Sequence, residues 1–324
     1  MRGSSPDGDD PVVQQALRDQ TLHKALLEQI DQGVCIVNRD NRILYWNLAA
    51  ERISGFLAHE VAGQVNHGDL LLHSAHCDAL LGLQSCDVEG APEGKPHASV
   101  VLLLHREGYR ILVYVQSRPI RDWNGEAIGT MELFDEIAAS AHPGVREFEA
   151  FGCADTSTRA ANRKYGELMA RHALEALNTF AIPFGWLRIG LDGAADMDRG
   201  FGRGMVEAAL KMVAAAIERN LGTHDVLTRW EGAELCVQIN RCTPSELAAA
   251  AERLCLIVRA SCLDWWGDRL RVTISAGGTA AEPGDTLETL DGRASEALEG
   301  CRAAGGDRAA MAHAGRSGVS RCSQ

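Results

Sequence analysis

The sequence predicts a two-domain protein of mixed α+β and α/β class. Its 324 residues suit about two domains of roughly 100–200 residues each. The first half has the pattern of two strands, short helices and three further strands, whereas the second half alternates long helices with apolar strands. Hydrophobic residues make up 46% of the chain and charged residues 23%, so both halves can build a core.

Charge and cysteine content exclude several classes of protein. The chain has 32 Lys and Arg against 44 Asp and Glu, a net charge of −12, and such an acidic surface repels a nucleic-acid backbone. The ten cysteines contain no CxxC pair, so neither a zinc ribbon nor a short disulfide framework is predicted. The N-terminus is polar and acidic, and no run of about 18 apolar residues occurs. We therefore expect a cytoplasmic protein without a membrane span or a nucleic-acid partner.

The N-terminal region predicts a disordered tail followed by a helix. Residues 1–11 are rich in Gly, Ser, Pro and Asp and cannot bury enough apolar surface to fold. Apolar residues then recur mostly three to five positions apart, which predicts an amphipathic helix over residues 12–30. A monomer would leave this apolar stripe in water, so we expect a homodimer. The stripe consists of Val13, Leu17, Leu22, Leu26, Leu27 and Ile30.

The rest of the first half predicts a five-stranded antiparallel sheet with helices. Two β-rich runs, Val34–Val37 and Ile43–Trp46, flank a turn-forming segment at 38–41, as in a hairpin. Residues 47–65 predict short helices. Three more strands are predicted at Ser99–His105, Tyr109–Ser117 and Ala127–Phe134.

A second domain is predicted over residues 155–312, after a first domain at 12–138 and a connector at 139–154 that contains Pro143-Gly144. No regular element is predicted after Arg308, and residues 313–324 are expected to form a flexible tail. The predicted order is a helix at 160–179, a strand at Trp186–Leu191, a helix at Val206–Asn220, a strand pair flanking Arg229–Leu235, a helix at Pro244–Ala260, a strand at Leu270–Ala276 and a helix at Leu287–Ala304.

Two families resemble the two halves. The segment GVCIVNRDNRILYWNLAAERISGF resembles the opening of a PAS sensor domain, and we assign that resemblance to residues 23–137. The second half resembles a GGDEF domain, which has the diguanylate cyclase fold, a nucleotidyl-cyclase-like central sheet flanked by helices. The matching segments, in order, are DTSTRAANRKY, PFGWLRIGLD, RWEGAEL, RVTISAGG and RASEALEGCRAAGGDR.

The resemblance implies a degenerate catalytic site. Active members of the GGDEF family join two GTP molecules into cyclic di-GMP with two divalent cations, which need carboxylate ligands. By alignment, Gly190 and Ala233 replace two of the family's metal-ligating acids, and Asp192 and Glu234 remain as weak metal candidates. The first residue of the hairpin motif is Glu231, where the family has a glycine that a phosphate approaches, and a carboxylate there repels a triphosphate. The motif consists of Glu231, Gly232, Ala233, Glu234 and Leu235.

The nucleotide and product sites implied by the family are also altered. Asp198 and Glu207 align with the family's guanine-binding Asn and Asp, so only acceptor contacts survive. Arg302 aligns with a Lys of the last helix, and Arg308 keeps its place. The product-inhibition site has Arg-x-x-Asp in the family, and here the tetrad Gly222-Thr223-His224-Asp225 retains only Asp225.

We therefore expect a PAS-containing signalling protein whose GGDEF domain is inactive and serves as a regulatory or partner-binding module in cyclic di-GMP signalling. Two alternatives remain: a diguanylate cyclase of low activity, which would use Mg²⁺ and GTP, and a PAS-mediated dimerisation scaffold. No cofactor is predicted, and the PAS ligand is unknown. Other cyclic di-GMP signalling proteins are the candidate partners. His73, His76 and Cys77 have a spacing that could hold haem or zinc, but surface loop positions are the favoured interpretation.

Overall fold

The computed structural model describes residues 21–63, 70–72, 97–137 and 152–312. These residues form two compact units. The first comprises 21–63, 97–99 and Val115–Asp135, and the second comprises the rest. Both tails, most of the connector, and the candidate metal or haem ligands His73, His76 and Cys77 lie outside the described residues.

The first sheet has six strands in the order β2-β1-β6-β5-β4-β3. Its five predicted strands are confirmed. A sixth, the two-residue strand β3, pairs with β4 and is too short to leave an alternating pattern in the sequence. The strands are β1 (Gly33–Asn38), β2 (Ile43–Trp46), β3 (Leu71–Leu72), β4 (His97–Leu104), β5 (Arg110–Arg121) and β6 (Ala127–Glu136).

Asn47 joins this sheet to the helices around it. The predicted short helices are α1 (Leu48–Ser54) and α2 (Ala58–Val61), and Asn47 is the N-cap of α1. Its Oδ1 accepts from the backbone N of Ala50 at 2.8 Å and of Val34 at 2.9 Å. Its Nδ2 donates to carbonyl oxygens at and after the end of the helical segment 21–28, those of Leu27, Ile30 and Gln32.

The second sheet has five strands in the order β13-β12-β7-β9-β8. Its central strand β7 is buried along its whole length and pairs antiparallel with β9 and β12. This register places Gly190 opposite Glu234 on one side and Ser275 on the other. The strands are β7 (Phe184–Leu191), β8 (Val226–Glu231), β9 (Glu234–Asn240), β12 (Ile274–Ala280) and β13 (Ala309–Met311).

Helices flank this sheet, as predicted. Apolar side chains of α3 and α7 form a core with Trp186 and Trp230, while Leu247 of α6 lies over Gly185 of β7. Helices α4 and α5 are separated at Gly202, whose φ of +80° suits glycine. The helices are α3 (Arg163–Phe180), α4 (Ala194–Phe201), α5 (Arg203–Glu218), α6 (Pro244–Ala260) and α7 (Leu287–Ala303).

Two predictions for this half are wrong. The strand predicted at Leu270–Ala276 begins at Ile274, because Leu270 ends a separate hairpin of β10 (Leu263–Trp265) and β11 (Asp268–Leu270). The chain after Arg308 is not loose, since it continues as β13, which pairs in parallel with β12. Three residues, two of them alanine, carry little β propensity, so only the pairing with a distant strand makes this segment a strand.

Candidate functional site

The hairpin between β8 and β9 collects charged side chains from several elements. Its turn contains Gly232, whose φ of +51° lies in the left-handed region that favours glycine. Arg229 donates to the carbonyl oxygen of Gly232, and the same guanidinium pairs with Glu207 of α5 at 3.2 Å. Arg229, which lies on β8, therefore stabilises the turn that follows this strand.

Glu234, at the start of β9, is held by two arginines. Its Oε1 accepts from Arg302 Nη1 of α7 at 2.7 Å, and its Oε2 accepts from Arg188 Nη2 of β7. Burial alone would raise the pKa of Glu234, but the hydrogen bonds from Arg188 and Arg302 outweigh burial and lower that pKa below its usual value. Both oxygens of an ionised carboxylate are thus engaged by guanidinium groups.

Arg188 is the buried centre of this cluster, with a side chain only 4% exposed. Besides Glu234 it pairs with Asp291 of α7 at 2.8 Å and with Glu231 at 3.2 Å. A buried charge is tolerated only when it is paired in this way. Sequence reasoning missed Arg188 and Asp291. Arg188 could have been identified, because it is a charged residue inside the otherwise apolar strand FGWLRIGL.

Two tryptophans support the arginines. The guanidinium carbon of Arg163, at the start of α3, lies 4.7 Å from the ring centroid of Trp230, and that of Arg188 lies 5.7 Å from the same ring, both within cation–π range. Trp186 stacks edge-on against Trp230 at 5.3 Å, and its Nε1 donates to Asp291 at 3.0 Å. The aromatic rings therefore restrict where the guanidinium groups can lie.

The two positions that lack an acid have distinct surroundings. A Cβ placed on Gly190 would overlap the guanidinium of Arg302, so a cation occupies the space next to this strand position. Ala233 lies in the turn and offers no side-chain ligand. At this strand end Arg302 and Glu234 thus form an ion pair beside a position without a side chain.

Asp192, the other weak metal candidate, is bound within the protein. Its carboxylate accepts from Thr273 Oγ1 at 2.8 Å, from Ser275 Oγ at 2.7 Å and from the backbone N of Asp307 at 2.8 Å. These contacts tie the end of β7 to the start of β12 and to the segment before β13. Across the part of the chain that the structure describes, no group of three or more His, Cys, Asp or Glu side chains is arranged to hold a metal ion.

The candidate nucleotide-binding residues are dispersed. Asp198 is exposed on α4, and Glu207 on α5 accepts from Ser157 Oγ at 2.7 Å as well as from Arg229. Arg308 donates to the carbonyl oxygen of Gly306 at 3.0 Å. Of the four candidates, Glu207 and Arg302 contact the hairpin, through ion pairs with Arg229 and with Glu234.

Asp225, the residue retained from the product-inhibition motif, binds backbone N–H groups of its own domain. It accepts from the backbone N of Gly222 and of Asn240, both at 2.9 Å. Burial raises the pKa of Asp225 above its usual value. Arg253 of α6 interacts electrostatically with it, a neighbour that sequence reasoning missed because it lies on a distant helix.

Two family models match the chain. Residues 153–308 match the family described as diguanylate cyclase, GGDEF domain, and residues 22–134 match the PAS fold. The probable diguanylate cyclase DgcE of Escherichia coli (strain K12) is 25% identical over 254 residues, which are 78% of this chain and 22% of that protein. The signal transduction histidine-protein kinase AtoS of the same organism is 26% identical over 179 residues, 54% of this chain and 26% of the kinase. The chain spans about a quarter of the length of these relatives.

Solved structures resemble about half of the chain. The GGDEF domain of DgcB from Caulobacter crescentus in complex with c-di-GMP has a TM-score of 0.49 and 21% identity, covering 54% of this chain and 98% of that one. The diguanylate cyclase SiaD in complex with its activator SiaC from Pseudomonas aeruginosa has a TM-score of 0.49 and 23% identity, covering 51% and 64%. None of the helices in the described residues is both long enough and apolar enough to cross a membrane.

Proposed function

Because the chain carries a PAS domain followed by a GGDEF domain, we propose that it is a signalling protein of the cyclic di-GMP kind. In this proposal the GGDEF domain forms no cyclic di-GMP and acts as a regulatory or partner-binding module. The observation that carries the proposal is the engagement of Glu234 by Arg188 and Arg302. This carboxylate is neutralised by the protein's own cations.

The residues at the hairpin do not fit the pair of divalent cations that the family's reaction needs. Such cations take several hard oxygen ligands, and neither Gly190 nor Ala233 supplies one. A divalent ion about 5 Å from a guanidinium is repelled by roughly 7 kcal/mol at an effective dielectric constant of about 20. Two such groups already surround Glu234, so an ion would have to displace Arg302 before it could bind.

The fold itself is retained, which supports a role for the domain surface. The central sheet, its flanking helices and the hairpin are all formed. We propose that the PAS domain provides the input, through a ligand that is not assigned, and that the protein is a homodimer that binds other cyclic di-GMP signalling proteins. In the scaffold alternative, the PAS domain does the work by forming the dimer, and the GGDEF domain recruits the partners.

The test is incubation of the purified chain with GTP and Mg²⁺, followed by mass spectrometric detection of cyclic di-GMP. We expect no product above a blank without enzyme. Product that the Glu234→Ala variant no longer makes would show that the chain is a low-activity cyclase and would overturn the proposal. Calorimetry with GTP, GDP and cyclic di-GMP, each with and without Mg²⁺, separates a ligand-binding module from a scaffold.

A further inference from the structure

At its start, β5 extends beyond the end of its neighbouring strand β6. Ile137, the residue after β6, donates its backbone N–H to the Leu112 carbonyl oxygen at 3.1 Å. The N–H and C=O groups of one strand residue point to the same side, and so do those of residues two positions apart. The N–H of Leu112 and both groups of Arg110 therefore lie on this edge without a β6 residue opposite them. Both residues are buried, so these backbone groups need other partners.

The ends of helices α5 and α6 provide these partners. Asn220, two residues after α5, offers its side-chain amide as a neighbouring strand would offer its backbone. Its Oδ1 accepts from the Leu112 N at 2.9 Å, and its Nδ2 donates to the Arg110 carbonyl oxygen at 3.2 Å. Ser261, the C-cap of α6, accepts from the Arg110 N at 3.0 Å through its Oγ. The side chains of Asn220 and Ser261 are both buried, so their polar atoms depend on this contact.

Gly108 allows two backbones to meet at the same place. Its carbonyl oxygen accepts from the Cys262 N at 2.9 Å, and a Cβ on Gly108 would lie 2.0 Å from the Cys262 carbonyl oxygen. Its φ of +90° also favours glycine. We call residues 108–112 with Asn220, Ser261 and Cys262 the β5 clasp. All of them belong to the second unit, although 108–112 fall in the PAS match and the other three in the GGDEF match.

We propose that the β5 clasp is a docking site through which the GGDEF domain responds to the state of the PAS sheet. The occupant is the segment 108–112 of the same chain, recognised through its extended backbone, as when a strand is added to a sheet edge. Because β5 continues from the clasp to Arg121, a change in the pairing of this strand alters the hydrogen bonds that reach α5 and α6. The proposal rests on the proposed function only in taking the PAS domain as the input.

The test is amide hydrogen exchange of the full chain, followed residue by residue by NMR. Gly108→Ala should speed exchange at least about tenfold at the backbone N–H groups of Asn220 and Ser261, because local opening of the helix ends sets these rates. Both groups donate to carbonyl oxygens of their own helices and not to β5. Gly125→Ala is the matched control, since Gly125 has a φ of +85° but nothing lies within 4 Å of its Cβ. Equal rates in the two variants would overturn the proposal.

A second variant tests the clasp from the helix side. Asn220→Ala should speed exchange at least about tenfold at the N–H groups of Arg110 and Cys262, neither of which is bonded to Asn220. Asn178→Ala is the control, because Asn178 on α3 also accepts from a backbone N–H, at 3.1 Å, outside the clasp. A change confined to the Leu112 N–H would reduce Asn220 to the acceptor of one hydrogen bond and contradict the proposal.

A folding check accompanies both variants. Amides of the central strand β7 should exchange as in the wild type, which shows that the core of the domain is intact. If either variant does not fold, Ser261→Ala replaces it, and unchanged exchange at the Leu112 and Cys262 N–H groups would then refute the docking site. Cyclic di-GMP formation by the wild type would overturn the proposed function and leave this comparison of exchange rates in place.

Discussion

The guanidinium of Arg302 lies in the space that a side chain on Gly190 would fill. The same guanidinium donates to Glu234 at 2.7 Å, and Glu234 is the partner of Gly190 in the β7–β9 register. At position 190, where the family resemblance predicts an acid, a guanidinium group thus lies in the space that the side chain would take. Restoring the acid alone should create an ion pair with Arg302 and not a metal site.

We therefore expect that Mg²⁺ does not stabilise the Gly190→Asp/Ala233→Glu variant as long as Arg302 is present. Adding Arg302→Ala should allow Mg²⁺ to bind and raise the Tm by about 2 °C or more, because an ion that binds only the folded state stabilises it. Differential scanning fluorimetry with MgCl₂ or EDTA measures this. A similar Mg²⁺-dependent rise in the wild type would show that the chain holds a cation without these acids.

The ion pairs of Glu234 should make stability depend on pH. Its pKa is lowered in the folded protein, so the carboxylate stabilises the fold above the usual glutamate pKa of about 4.3, and that stabilisation is lost as the pH falls through the folded pKa. In urea unfolding, the difference in free energy of unfolding between wild type and Glu234→Gln should therefore shrink on the acid side. Glu175→Gln, on the exposed face of α3, is the control. A pH-independent difference would contradict the assigned role of the charge.

Features that depend on neighbouring residues could be predicted from the sequence, whereas contacts between distant residues could not. Helix α6 begins and ends where predicted, and its start is marked by local signals, a capping box of Thr243 and Glu246 with Pro244 in the first turn. The sequence also predicts that positions 190 and 233 lack the family's acids, because the family pattern marks both positions. The pairing of Arg188 with Asp291 joins residues 103 positions apart. Such a contact leaves no trace in a single sequence beyond an unexplained charge in a strand.

Asp192 should act as a structural clamp. Asp192→Ala leaves two hydroxyls and one backbone N–H without their acceptor, and we expect a loss of about 3 kcal/mol in the free energy of unfolding. The loss should be the same with Mg²⁺ and with EDTA. Asp196→Ala removes an exposed carboxylate paired with Arg199 and should change stability by less than about 0.5 kcal/mol. An effect of Asp192→Ala that appears only with Mg²⁺ would restore the metal interpretation.

Asn47 should be a principal determinant of stability in the first unit. It is fully buried, and its amide makes five hydrogen bonds to backbone atoms. Replacement by alanine removes an N-cap and leaves buried groups unpaired, so we expect a loss of about 3 kcal/mol. Urea unfolding of the full chain measures it.

The control for this variant is Asn124→Ala. Asn124 lies in the exposed turn between β5 and β6, where its backbone N donates to Asp122 Oδ1 at 2.9 Å, a bond that alanine retains, and its side chain donates one long hydrogen bond, at 3.4 Å, to Asp122. Its replacement should change the free energy of unfolding by less than about 0.5 kcal/mol. Equal effects at the two positions would show that the hydrogen bonds of Asn47 do not anchor this unit.

The helical segment 21–28 should mediate the proposed homodimer. Leu22 and Leu26 are 57% and 55% exposed and, being four residues apart, lie on one face of the helix. A second copy of the chain could cover them, since a twofold contact brings the same face of two protomers together. Of the other predicted stripe residues, Leu27 and Ile30 are partly buried, and Val13 and Leu17 lie outside the described residues. We expect Leu22→Glu/Leu26→Glu to be monomeric by multi-angle light scattering, because opposed carboxylates would repel across the contact. Lys24→Glu, which also introduces a glutamate at an exposed position of the segment, should remain dimeric, and a dimer that survives the double substitution would place the interface elsewhere.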